Sequence, residues 1–140
     1  MRRYLVVANQ TLGGAHLVRR LRAAAARGPC SFFFLVPATP PQDHATWTEG
    51  EAEALAGERL ARALIRAREL GVEVDGDVGD PDPVQAIADA MIDDRYDEII
   101  VSTLPPGISR WLKLDLPHRV ERRFDVPVTH VVGEPEPARG

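Results

Sequence analysis

Cysteine is nearly absent from this chain: Cys30 stands alone among 140 residues, so no internal disulfide can hold the fold together. It sits where an apolar strand begins and reads there as a small buried hydrophobe, not a reactive thiol. Long apolar runs are missing too. None approaches the ~18 residues that a membrane-spanning helix requires, and the N-terminus enters a strand pattern at Tyr4 in place of a signal-peptide core. A cytoplasmic location is the expectation. Aromatic residues make up only 6% of the sequence and the isoelectric point is near 5.5, which argues against the basic, aromatic-studded surface of a nucleic-acid binder.

What remains is an ordinary globular composition, 44% hydrophobic and 27% charged, at a length that suits one domain with a single sizeable core. The domain is expected over residues 1–133, followed by a disordered tail from Glu134 to Gly140 that contains two prolines. The net charge of −4 is spread unevenly: residues 1–40 hold six arginines and no acid, whereas residues 41–100 hold sixteen acids against five arginines. Helices of opposite sign covering one sheet, with their charges on solvated faces, account for this pattern.

Arg3 to Ala8 is an apolar run that reads as a first strand buried on both faces. Asn9 to Gly14 breaks it, and Leu17, Val18, Leu21, Ala24 and Ala25 then recur at helical spacing until Gly28-Pro29. Ser31 to Val36 is a second, aromatic strand. Pro37, Pro40 and Pro41 open a loop to about Trp47, long for such a unit. Thr48-x-x-Glu51 has the spacing of a capping box. The helix it starts carries Leu60, Leu64, Ala67 and Leu70 on one stripe and stops at Gly71. Val72 to Val78 alternates apolar and polar residues, the mark of a half-exposed edge strand. Gly79-Asp80-Pro81-Asp82-Pro83 hands over to a helix with Asp82 as N-cap, Pro83 at the first position and Val84, Ile87 and Met91 as its apolar stripe. Asp80 and Asp82 are turn and cap residues, not paired catalytic carboxylates.

Asp97-Glu98-Ile99-Ile100-Val101 predicts a fourth strand covered on both faces, leading into Ser102 to Ser109. Ile108 to Lys113 fits one helical turn, with Trp111 and Leu112 as packing residues, and Asp115 caps a fresh helix. Val126 to Val132 closes the sheet; Pro127 cannot donate to a ladder, which places this strand at an edge. The alternation of strands and helices predicts an α/β fold, an open five-stranded parallel sheet with helices on both faces. Two edge strands and three buried ones give the order 3-2-1-4-5, and right-handed crossovers put the first two helices on one face and the rest on the other. The strand order reverses between strands one and four, so a ligand would sit between Asn9–Gly14 and Ser102–Ser109.

With these residues located, the chain resembles the universal stress protein family along nearly its whole length. The resemblance rests on a first strand ending in polar Asn9, a second ending Val36-Pro37, the Gly79-Asp80-Pro81 turn, Asp97 to Thr103, and the closing Val120-Glu121-Arg122-Arg123-Phe124-Asp125-Val126-Pro127-Val128. It implies an adenine nucleotide alpha hydrolase-like, Rossmann-like fold and a homodimer joined through the last strand, here Val126, Val128 and Val131. In ATP-binding members the fourth strand is followed by Gly-x2-Gly-x9-Gly-[Ser/Thr], whose backbone N–H groups close on the phosphates. This chain departs from that pattern at every diagnostic position. Ser102 and Pro105 stand at the first two glycines and, with one deletion allowed, Leu114 at the third and Asp115 at the hydroxyl residue. A proline removes a donor, a leucine blocks close approach, and a carboxylate repels phosphate. The family's adenine-contacting Asp is Asn9, which still donates and accepts.

The expectation is therefore a regulatory or stress-associated binding module, non-enzymatic, that does not bind ATP in the family's usual way. A second reading keeps ATP, another adenine nucleotide or a small anion at the crevice, with Asn9, Thr11, Val36, Ser102, Thr103, Gly107, Ser109 and Arg110 as candidate ligand-binding residues. A third is a small-molecule or nucleotide hydrolase with His16 or His44 as base. Against it, His16 reads as an exposed first-turn residue, and adjacent Asp43 and His44 point apart in an extended chain. Gly13-Gly14 eases a turn and lacks the rest of a nucleotide loop. His16, His44, His118 and His130 show no metal-ligand spacing, and neither a Gly-x-Ser-x-Gly elbow nor a His-Glu-x-x-His helix is present.

Overall fold

The computed structural model describes residues 1–40 and 48–134. The Asp43-His44 pair, Trp47 and the segment beyond Glu134 lie outside the described residues, as does most of the loop that Pro37 opens. In chain order the elements are β1 (Arg2–Val7), α1 (Ala15–Ala26), β2 (Cys30–Pro37), α2 (Glu49–Glu69), β3 (Glu73–Gly79), α3 (Pro83–Asp93), β4 (Glu98–Thr103), the single turn α4 (Arg110–Lys113), α5 (Leu116–Arg123) and β5 (Val128–Val132). All strand pairs are parallel and the order is β3-β2-β1-β4-β5. The sheet expected from the alternation of elements is thus the sheet observed.

Side-chain alternation along the central strands divides the core in two. Tyr4, Val6, Phe32, Phe34, Val36 and Ile100 point to one face, where Leu17 and Leu21 of α1 and Ala56, Leu60 and Ala63 of α2 cover them. Leu5, Val7, Leu35, Ile99 and Val101 point to the other, against Ile87 of α3, Trp111 of α4 and Leu116 and Val120 of α5. With α1 and α2 on one face and α3 to α5 on the other, the arrangement is what right-handed crossovers around this strand order demand. Because β1, β2 and β4 are covered twice, their sequences run apolar without alternation. Removing a fully enclosed side chain such as Ile100 or Val101 from water is worth about 1.5–3 kcal/mol, so these strands anchor the fold.

Local chemistry sets the element ends. The Thr48 hydroxyl accepts from Glu51 N–H at 3.1 Å, and Asp82 accepts from Val84 N–H at 3.0 Å with Pro83 opening α3. Three expectations are corrected. Leu70, expected on the apolar stripe of α2, is the C-cap that follows the helix and is 44% exposed. Asp115 occupies the N-cap position of α5 with a left-handed backbone, φ 57° and ψ 41°, and makes no cap bond; its carboxylate turns to His118 Nδ1 at 2.8 Å. Cys30 is half-buried, not enclosed, although its burial does push the thiol's pKa up, away from thiolate chemistry.

Candidate functional site

The reversal of strand order between β1 and β4 creates a crevice at their carboxyl ends. On one side β1 ends at Val7, and Asn9 to Gly14 turn sharply: Leu12 N–H donates to Asn9 C=O at 3.2 Å and Gly14 N–H to Thr11 C=O at 2.9 Å. Gly14 is needed for close approach, since a Cβ there would lie 2.5 Å from the backbone oxygen of Glu134. On the other side β4 ends in Ser102 and Thr103. Leu104 to Gly107 then turn with Gly107 at φ 94°, and Ser109 caps α4 by accepting from Leu112 N–H at 3.1 Å.

Of the candidate residues, Asn9, Thr11, Ser102, Thr103, Ser109 and Arg110 all line this crevice. Val36 does not; it is enclosed in the core beneath α1 and α2. Gly107 is exposed on the turn outside it. Gln10, Thr39, Pro40 and Trp111 complete the lining described.

The polar groups of the crevice are joined mainly to one another. Thr11 Oγ1 and Ser102 Oγ lie 2.6 Å apart, a buried bond that ties the two sides together. Asn9 Nδ2 donates to Pro37 C=O at 2.8 Å, while its Oδ1 accepts from Arg59 of α2 at 2.6 Å. Trp111 Nε1 donates to Thr39 Oγ1 at 3.3 Å, and that hydroxyl donates to Pro81 C=O at 2.6 Å. Thr103 Oγ1 is 2.8 Å from Nε2 of His130 on β5. Burial lowers the pKa of His130, with a further push from the charge of His118, so its ring is held neutral. Such mutual pairing is how buried polar groups avoid desolvation cost. The space left is a cavity of about 50 Å³.

Arg110 is the only titratable group among the lining residues described, and its guanidinium makes no ion pair among the described residues. Among the described residues no histidine, carboxylate or thiol lines the crevice; His16 is exposed at the start of α1. Among the described residues no group of histidine, cysteine and carboxylate side chains is arranged to hold a metal. Pro105 is half-buried and Leu114 and Asp115 are exposed, so at these positions there is no glycine cradle. Arg59 and Thr39 were missed from sequence. Their spacings from Asn9 follow no local period, and only the packing of α2 and of the loop after β2 brings them in.

Comparison with solved structures agrees with this architecture. A universal stress protein from Archaeoglobus fulgidus superposes with a TM-score of 0.63 at 18% identity, covering 94% of this chain and 93% of that one. The chain has the universal stress protein fold. A universal stress protein in complex with cAMP matches with a TM-score of 0.57 at 20% identity, over 93% of this chain and 96% of that one. A universal stress protein family protein from Arabidopsis thaliana with AMP bound matches with a TM-score of 0.64 at 11% identity, over 94% and 92%. No protein-family model and no curated protein sequence matches the chain. As in the sequence reading, no helix among the described residues is long and apolar enough to cross a membrane.

Proposed function

We propose that this universal stress protein-like domain is a non-enzymatic, regulatory or stress-associated binding module whose switch-point crevice does not take up ATP in the family's usual way. The observation that carries this reading is the buried Thr11–Ser102 hydrogen bond of 2.6 Å across the crevice. It leaves about 50 Å³, whereas pockets for nucleotide-sized ligands run from about 300 Å³ upward. Opening the crevice means separating that pair and displacing Arg59 from Asn9. Of the positions that close on phosphate in ATP-binding members, Pro105 brings no N–H and Asp115 brings negative charge.

A homodimer joined through β5 belongs to the same reading. Val126 and Val128 pack against one core and Val131 against the other, so the contact offered is the backbone edge of the strand more than its valine side chains. Sedimentation at micromolar concentration is expected to show the dimer, and monomer alone would remove it. For the crevice, isothermal titration with ATP and magnesium is expected to give no saturable heat; tight binding at one site per chain would overturn the proposal.

One pair of observations favours a second reading, in which an adenine nucleotide or another small anion binds unconventionally. Two of the structures with this fold carry cAMP and AMP, and Arg110 stands at the crevice without an ion-pair partner among the described residues. Titration with AMP, and nucleotide released from the purified protein, distinguish this reading: either signal, lost in Arg110→Gln, would support it.

A further inference from the structure

At the opposite end of the sheet, where α1 and α2 finish, lies a second cavity with the reverse character. Leu21 and Ala25 of α1 form one wall, Ala67 of α2 and its C-cap Leu70 the other, and Phe32 of β2 its floor. Leu21, Phe32 and Ala67 are buried, and Leu70 stands half-exposed at the mouth. The volume is about 200 Å³. Alanine at positions 25 and 67 leaves the space open: larger side chains there would close it. An apolar cavity of about 150 Å³ stays dry and accepts a benzene ring, so this one has room for a ring and a short arm.

One charged residue joins the lining. Arg22 lies one position from Leu21 on α1, and its guanidinium makes no hydrogen bond or ion pair among the described residues. Among the described residues no carboxylate lines the cavity. A ligand matched to these walls has an apolar body and a single negative group near the lip, where a planar guanidinium pairs with a carboxylate in two parallel hydrogen bonds. We infer that this cavity between the ends of α1 and α2 binds a small monocarboxylic acid with an aromatic or short aliphatic body, its carboxylate on Arg22. The site is separate from the crevice and does not depend on whether that crevice is open.

The inference is tested on the full chain by titrating 3-phenylpropionate, toluene and 2-phenylethylamine while following the amide signals of Leu21, Leu70 and Val72 by NMR. The acid is expected to move them saturably in the millimolar range or below, toluene less tightly, and the amine not at all. Arg22→Gln, on an exposed residue, is expected to weaken the acid by about fivefold to tenfold and leave toluene unchanged. Ala67→Leu is expected to abolish both, and Ala25→Leu fills the same space from the other wall should the first variant fail to fold. Absence of saturable shifts with the acid would overturn the inference. So would equal binding of the amine, or acid binding that survives filling. Signals of Leu70 that move with protein concentration alone would assign the cavity to a second copy of the chain, which also overturns it.

Discussion

The two edges of the sheet are both exposed strands, yet their side chains serve opposite directions. Along β3 the odd-numbered residues turn their backbone toward β2, as the bond from Ala38 N–H to Gly79 C=O fixes, so the N–H groups of Gly76 and Val78 face outward. Each is taken by the residue before it: Gly76 N–H donates to Asp75 Oδ1 and Val78 N–H to Asp77 Oδ1, both at 2.8 Å. Along β5 the bonds run inward. Thr129 donates to Glu98 at 2.9 Å and His130 meets Thr103 at 2.8 Å, both on β4. The backbone bonds from Ile99 N–H to Pro127 C=O and from Gly133 N–H to Thr103 C=O fix the register, which leaves the N–H groups of Val128, His130 and Val132 facing away from the sheet. An exposed strand with unpaired donors invites another strand, whereas a charged, self-capped one repels it. The two edges teach that equal exposure can offer a second strand different things: free N–H donors on β5, self-capped ones beside carboxylates on β3.

The largest effect that would break this contrast comes from Val132→Pro. The residue is exposed, its N–H points outward, and proline fits the extended backbone without touching the inner ladder. The proposed twofold interface would lose one donor from each copy, so at about 1.5 kcal/mol per bond the proposed dimer should weaken by roughly 100-fold while the monomer stays folded. Sedimentation velocity read beside circular dichroism tests this. An undisturbed dimer would move the interface away from β5.

Next in size is Thr129→Val, which removes an inward tie of β5. It leaves Oε2 of Glu98 short of a donor in a residue that is 8% exposed, with Arg2 still on Oε1 at 3.1 Å. An unsatisfied buried acceptor costs about 1–3 kcal/mol, and thermal or denaturant unfolding should show that loss. No loss of stability would mean that β5 is held by its backbone ladder alone.

The edge character of both strands was legible because each leaves a local mark: period-two alternation from Val72 to Val78, and a proline at position 127. The direction of their side-chain bonds was not. Asp75 and Asp77 look like any solvated carboxylates in sequence, and the partners of Thr129 and His130 lie 31 and 27 residues away. The crevice divides in the same way. Strand order located Asn9, Thr11, Ser102, Thr103, Ser109 and Arg110 around it, since topology alone fixes where β1 and β4 end. That Thr11 and Ser102 bond to each other, and that Arg59 reaches Asn9 across fifty residues, depends on packing distances that no spacing encodes. Leu70 was misread because the apolar spacing continues in sequence one residue past Glu69, where the helix ends. Asp115 was misread because Asp-Leu-Pro is a helix start whichever backbone region the aspartate adopts.

A smaller effect should follow from uncapping the other edge. In the Asp75→Ala, Asp77→Ala double variant the outward N–H groups of Gly76 and Val78 lose their acceptors and two negative charges leave the strand. Concentration-dependent self-association through β3 is expected, and it should persist when Val132→Pro is added. Light scattering on that combined variant separates the two edges; scattering unchanged from Val132→Pro alone would show that β3 needs no caps.

The smallest effect is one of pH. Burial and the nearby His118 lower the pKa of His130 in the folded protein below its ordinary 6.5. A lowered folded pKa means that the unfolded chain binds the proton more readily, so the stability tied to the neutral ring is present above about pH 6.5 and declines as the pH falls through the folded value. His118 bonds Asp115 on α5 and Thr103 faces the ring from β4, which places the titration at the inward side of β5. His130→Asn is expected to flatten the decline in melting temperature on going from neutral to mildly acidic solution. It should leave sedimentation at neutral pH unchanged, because the backbone N–H of residue 130 is retained. If the decline kept its slope in the variant, the inward tie of His130 to Thr103 would contribute nothing to holding β5.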